Sequence, residues 1–147
     1  FCVLSAGKKG IEIGSFIHIA VFCSLMGNEK IILNDFSGLS SRVSIYSSND
    51  DYSGETLTNP MIPDKYKKVT HAPVTLEKHV IVGSGSIILP GVCLNTGAAV
   101  GALSLVSKDI PEFEIHSGIP AKKIKKRKND LLEVENHFLK YGIFNHG

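Results

Sequence analysis

A period of six residues constrains this chain more than any other feature. Stepping by six from Leu76 meets Val82, Ile88, Leu94, Val100 and Val106, every one aliphatic. Two residues before each stand Val74, Val80, Ser86, Val92, Ala98 and Ser104, all apolar or small. The same register runs through Ile13, Ile19 and Leu25, slips by two residues, and resumes at Leu33, Leu39 and Ile45. The partners there are Ile11, Ile17, Cys23, Ile31, Ser37 and Val43. Alternation by two marks a strand with one buried face. A break after each short strand, rich in Gly, Asn and Ser, marks a turn. Three such strands close one coil, and stacked coils bury a continuous apolar column; a helical period would scatter the same residues around a cylinder. The twelve rungs predict an all-β, parallel β-helix of about four triangular coils, roughly 19 Å tall at the strand spacing of a sheet. Its open ends call for caps or partners.

Two segments leave the repeat. Residues 47–73 form a polar excursion, from Ser47-Ser48-Asn49-Asp50-Asp51-Tyr52-Ser53-Gly54 through Pro60 and Pro63 to Lys67-Lys68. A long loop between coils in register reads as functional. After Pro120 six of the seven residues from Lys122 to Lys128 are basic. A helix is expected from an Asn129 or Asp130 cap, with Leu131, Leu132, Val134, Phe138 and Leu139 on one face. The expected organisation is therefore a prism over 1–126 with its loop at 47–73, and a helical tail over 127–147.

The composition narrows the function classes. The 147 residues carry a net charge of only +2 with 20% charged and 43% hydrophobic residues, enough for one core. Trp is absent and aromatics are few, so the basic run lacks the stacking groups of a nucleic-acid surface. No apolar run reaches membrane-spanning length. The start at Phe1 reads as trimmed and not as a signal peptide. Three scattered cysteines, Cys2, Cys23 and Cys93, give no disulfide framework and suggest a reducing cytoplasm. Six histidines (His18, His71, His79, His116, His137, His146) show no metal-ligand spacing, so no metal is expected. His79 and His116 are expected at turns, facing solvent.

The run Ile88-Leu89-Pro90-Gly91-Val92, then Ala99-Val100-Gly101-Ala102, then Val106-Ser107-Lys108-Asp109-Ile110-Pro111, then Gly118-Ile119-Pro120-Ala121-Lys122-Lys123-Ile124 resembles the C-terminal signature of the hexapeptide-repeat acyltransferases. These are left-handed parallel β-helix enzymes. Order and spacing are similar to galactoside and maltose O-acetyltransferases. The Asn-Asp-Asp loop and the Leu-Leu-x-Val-Glu tail look more like acyltransferases of surface-polysaccharide pathways. The resemblance covers about Ile11 to Lys126 and implies left-handed coils and acetyl-coenzyme A as co-substrate in the groove between neighbouring prisms. A homotrimer is expected because threefold packing would cover apolar residues on the flat faces, such as Phe16, Ile81, Ile87 and Leu105.

By that resemblance the cofactor-contact positions are Ser84, Ala102, Ser107 and Lys108, with Lys122 and Lys125 for the coenzyme phosphates, where charge-assisted hydrogen bonds form. Small residues at Gly83-Ser84-Gly85 and Gly101-Ala102 would also let a ligand approach the backbone, though tight turns alone need them too. The acceptor nucleophile must lose a proton. A loop His does this in galactoside-type enzymes, and Asp50 stands at its position. Asp50 and Asp51 are adjacent, and repulsion between them would raise one pKa toward a useful range. His18, one residue before a core Ile, resembles a His of β-helix amino-sugar N-acetyltransferases and is the other candidate base. The implied function is coenzyme A-dependent transfer of an acetyl group to a hydroxyl or amine of a sugar or nucleotide-sugar, by direct attack in a ternary complex. The alternative is a non-catalytic β-helix scaffold or sugar-binding protein.

Overall fold

The structure, a computed structural model, describes residues 1–142. His146 and the end of the expected tail lie outside the described residues. The first coil holds β1 (Val3–Ala6), β2 (Ile11–Ile13) and β3 (His18–Ile19); the second holds β4 (Ser24–Gly27), β5 (Ile31–Leu33) and β6 (Gly38–Leu39). The third opens on β7 (Ser44–Tyr46) and is interrupted by the excursion, which contains β8 (Ser48–Asn49) and β9 (Thr70–His71). It resumes with β10 (Val74–Leu76) and β11 (Ile81–Val82), followed by β12 (Ile87–Ile88), β13 (Cys93–Leu94) and β14 (Ala99–Val100). The last coil holds β15 (Leu105–Val106), a bridge from Ile110 to Leu94, and β16 (Glu114–Gly118).

These strands stack as three parallel sheets, β1-β4-β7-β12-β15, β2-β5-β10-β13 and β3-β6-β11-β14-β16. The first face has five strands, one layer more than the four coils expected. Register explains the core. Leu25 pairs with Ile45, Ile45 with Ile88, and Ile88 with Val106, so one aliphatic residue sits above the next. From Cys23 to Val106 the predicted inward positions are buried, including Ser37, Ser86 and Ser104. In the first coil the same positions meet water: Ile13 is 46% exposed, and Ile11, Ile17 and Ile19 only pack partly against the core.

The corners carry a feature the repeat does not announce. Phe16, Phe36 and His79 occupy one corner of successive coils, each at positive φ. L residues avoid that region. Their rings stack outside the corner, Phe16 on Phe36 at 4.7 Å and Phe36 on His79 at 5.1 Å between centroids. The next coil uses Gly97, also at positive φ, where a Cβ would lie 2.4 Å from the Phe113 ring.

β17 (Ala121–Lys126) folds back antiparallel on β16, so the basic run is a hairpin arm at the sheet's last edge. Helix α1 (Leu131–His137) comes next, with Asp130 at its N-cap position making no side-chain cap bond. Its inner face is only partly the one expected: Phe138 packs edge-on against the Phe16 and Phe36 rings. Leu132 and Val134 remain exposed, whereas Glu135 turns inward and takes Lys78 Nζ and His79 Nε2, each at 2.6 Å. Arg127 donates to the carbonyl oxygens of His79 and Gly97 at 2.9 Å. His79 is therefore a clamp for the tail and not the solvent-facing ring expected. His116 likewise lies within β16 and pairs with Glu114 at 2.9 Å. Among the described residues, no helix is long and apolar enough to cross a membrane.

Candidate functional site

The excursion leaves the first face directly after β7 because Ser47 is anchored. Its hydroxyl, fully buried, donates to the carbonyl of Glu29 at 2.7 Å. The chain then extends as β8 and returns as β9, pairing Ser48 with His71 and Asn49 with Thr70. A short 3-10 turn, Asp64–Tyr66, and a bridge between Leu57 and Lys67 organise the tip. The segment is thus a built arm.

Asp50 lines the cavities that flank that arm, of which two are the largest. One, of about 460 Å³, is walled by Asn28, Ser48, Asp64, Lys67 and His71 beside Asp50. The other, of about 480 Å³, lies between the arm and the first face, where Tyr46, Tyr52, Ile87, Leu89 and Leu105 meet Asn49 and Asp50. The Asp50 side chain is exposed to this space.

Asp51 behaves differently from its neighbour. Its carboxylate accepts from the backbone N–H of Ser53 at 2.8 Å, from the N–H of Thr56 at 3.1 Å and from the Thr56 hydroxyl at 2.8 Å. Hydrogen bonds to the charged form favour it. Ser53 above all, with Thr56, holds the carboxyl down at about 2. The rise anticipated from repulsion is reversed at Asp51, which closes a turn within the loop.

His18 stands on another face. It pairs with Gly38 in the third sheet and lines a shallow hollow of about 220 Å³ with Phe36, His79 and Arg127. One protomer does not bring His18 and Asp50 together. Ser84 and Ala102 are exposed at one corner of successive coils, linked by the Leu103 N–H donating to the Ser84 carbonyl at 2.9 Å. The glycines beside them answer to stacking: a Cβ on Gly83 would meet the Ala102 nitrogen at 2.5 Å, and one on Gly101 the Ser117 hydroxyl at 2.6 Å. Ser107 and Lys108 are exposed after β15; Lys122 and Lys125 are exposed on β17, opposite Ser117 and Ile115.

Sequence reasoning passed over Lys67 and His71 as site residues. Nothing local marks them, because they reach the Asp50 cavity only through the β8–β9 pairing and the fold of the tip. Burial raises the Cys23 and Cys93 thiols, which disfavours the thiolate a covalent route would need.

No family model matches the chain. Among curated proteins it is 51% identical over 138 residues to the dTDP-4-amino-4,6-dideoxy-D-glucose acyltransferase of Escherichia coli, covering 94% of this chain and 72% of that protein. It is 30% identical over 126 residues to a galactoside O-acetyltransferase of Lactococcus lactis subsp. lactis, of which it spans 56%. Among solved structures it matches the N-acyltransferase AntD of Bacillus cereus in complex with dTDP and 3-hydroxybutyryl-CoA. The identity is 44% and the TM-score 0.92, over 97% of this chain and 75% of that one. A hexapeptide-repeat acetyltransferase of Vibrio cholerae, at 21% identity and a TM-score of 0.74, shares the fold. With the six-residue repeat, the three stacked sheets and half of its residues in common with a sugar acyltransferase, the chain belongs to the hexapeptide-repeat acyltransferases.

Proposed function

We propose that this protein transfers the acyl group of an acyl-coenzyme A, acetyl or a short homologue, to the amine of a dTDP-linked amino sugar. The observation that carries the reading is Asp50, a carboxylate unclaimed by the loop and standing in the walls of the cavities beside the arm. A carboxylate suits an amine acceptor better than a hydroxyl, because it attracts the resting ammonium form and can take a proton from the neutral amine as the nitrogen attacks. The ammonium first gives one proton to solvent. The neutral amine then forms the C–N bond as the thioester C–S bond breaks, passes its second departing proton to Asp50, and the coenzyme leaves as thiolate and takes a proton from solvent. The similarity to the dTDP-amino-sugar acyltransferase and to AntD supports the acceptor class.

In this reading Lys122 and Lys125 hold the coenzyme phosphates, Ser84 and Ala102 line its course at the corner before the first face, and Ser107 and Lys108 stand at the next corner, after β15. His18, remote from Asp50 within a protomer, remains the competing base. The same reading includes a threefold assembly, which would cover the exposed Ile81 and Ile87 and close one protomer's groove with another. Phe16 counts less toward such a face, because Phe36 and Phe138 already pack on it. Release of thiol from acetyl-coenzyme A, monitored across dTDP-4-amino-4,6-dideoxyglucose, its 4-hydroxy counterpart and free amino sugars, tests the reading. Turnover confined to the nucleotide-linked amine supports it; equal turnover with hydroxyl acceptors, or none with any acceptor, removes it.

A further inference from the structure

The cavity that faces Asp50 holds two groups that acyl transfer leaves without a task. Lys67 lies just past the 3-10 turn with its side chain only 10% exposed, while its single ion-pair partner, Asp64 at 3.2 Å, is bathed in solvent. A solvated carboxylate compensates a tucked-in ammonium weakly. The cation is therefore fixed in the wall while its counter-charge is free to leave. His71 is steadied on the opposite strand, its Nδ1 2.7 Å from Ser48 Oγ. That oxygen in turn accepts the Asn28 N–H at 2.8 Å. With Nδ1 engaged, Nε2 is the nitrogen left for a ligand.

We infer that Lys67 and His71 bind the diphosphate of the nucleotide-linked acceptor, with Asp50 receiving the sugar amine across the same cavity. The inference rests on the acceptor class proposed above and assigns the residues that recognise its anionic half. A diphosphate presents several acceptor oxygens in a small volume, and a lysine with an imidazole supplies donors for charge-assisted bonds. An amino sugar diphosphate carries its two opposite charges on either side of one pyranose ring. The site carries complementary groups in one cavity: Lys67 and His71 for the anion, Asp50 for the cation. A volume of about 460 Å³ suits a sugar and its diphosphate in a site of ordinary size. Asp64 swings into water as the phosphate replaces it.

The test is calorimetric titration of the full chain with dTDP, and with thymidine as the ligand that lacks phosphate. Lys67→Gln and His71→Gln should each weaken dTDP roughly 10-fold or more and leave thymidine unchanged. Lys67→Arg should keep most of the affinity, and Asp64→Asn should raise it. The dTDP loss in Lys67→Gln should shrink as salt rises. Unchanged dTDP affinity in both Gln variants overturns the inference, as does equal weakening of dTDP and thymidine, which would mark a damaged loop. A wild-type chain that binds dTDP while both variants bind it equally well removes this assignment alone. A wild-type chain that does not bind dTDP removes the acceptor class with it.

Discussion

Asp50 and Asp51 are neighbours with different fates, and the residues next in the chain set the difference. Asp51 folds onto Ser53 and Thr56 and becomes part of the turn; Asp50 stays exposed and is bonded to neither. Asp50→Asn should lower kcat by about 10²-fold with KM for acyl-coenzyme A nearly unchanged, read from steady-state rates with each substrate varied. His18→Ala is the counter-test, and losing turnover there while Asp50→Asn stays active would move the base to the third sheet. Asp51 should show itself through pH. Its folded pKa of about 2 lies below the ordinary 3.8, so its contribution to loop order is complete above the ordinary value. That contribution is lost as pH falls from 3.8 toward 2. Hydrogen exchange at the Ser53 and Thr56 amides should accelerate over that window, and Asp51→Asn should abolish the dependence. The sequence shows two adjacent acids and cannot by charge alone say which one the loop consumes. The Asp-x-Ser spacing at Asp51 was the available sign, since Asp side chains often bond the backbone two residues on. Lys67 and His71 left no comparable sign, because strand pairing 23 residues apart delivers His71 to Ser48.

Short strands in this fold are held by the layers above and below, so each element's stability is largely borrowed. Leu76, wholly buried between Leu33 and Leu94, should cost about 2–5 kcal/mol when replaced by Ala, measurable by chemical denaturation. The inward positions were legible because period six combined with alternation admits one arrangement. The corners were not, since Phe16, Phe36 and His79 adopt a backbone conformation that their residue types disfavour and ring stacking supports. The tail was half legible. A helix forms where the cap and apolar spacing indicated, but its inner face is chosen by an ion cluster. Lys78 and His79 hold the Glu135 carboxyl below the usual carboxylate range. Docking of the tail is thus present above that range and should loosen as acid protonates the group. Glu135→Gln should produce the same loosening at neutral pH, seen as faster exchange of the α1 amides. On the hairpin arm, Lys122→Glu with Lys125→Glu should weaken coenzyme A more than its 3′-dephospho form, and less so at high salt. Equal weakening of both would leave the arm as a solvated basic edge.

Across the prism as a whole, three sheets position chemistry by spreading it. The arm with Asp50 leaves the first face, His18 and the basic hairpin belong to the third sheet, and Ser84 and Ala102, proposed to contact the coenzyme, lie at the corner between those two. In the proposed reading a second copy completes a site so divided, and light scattering should report a trimer at micromolar concentration. A monomer that is fully active would contradict the shared groove. How copies meet was not legible in the repeat, which records what each rung buries inside and leaves the outer faces mixed. Acyl transfer to a nitrogen on a nucleotide-linked sugar stands or falls on its product. The protein is incubated with acetyl-coenzyme A and dTDP-4-amino-4,6-dideoxyglucose, and the sugar nucleotide is weighed by mass spectrometry before and after hydroxylamine. The expected product is a sugar nucleotide heavier by one acetyl group that survives hydroxylamine, as an amide does. An unchanged sugar nucleotide, or an acetyl group that hydroxylamine removes as it removes an ester, would contradict transfer to nitrogen.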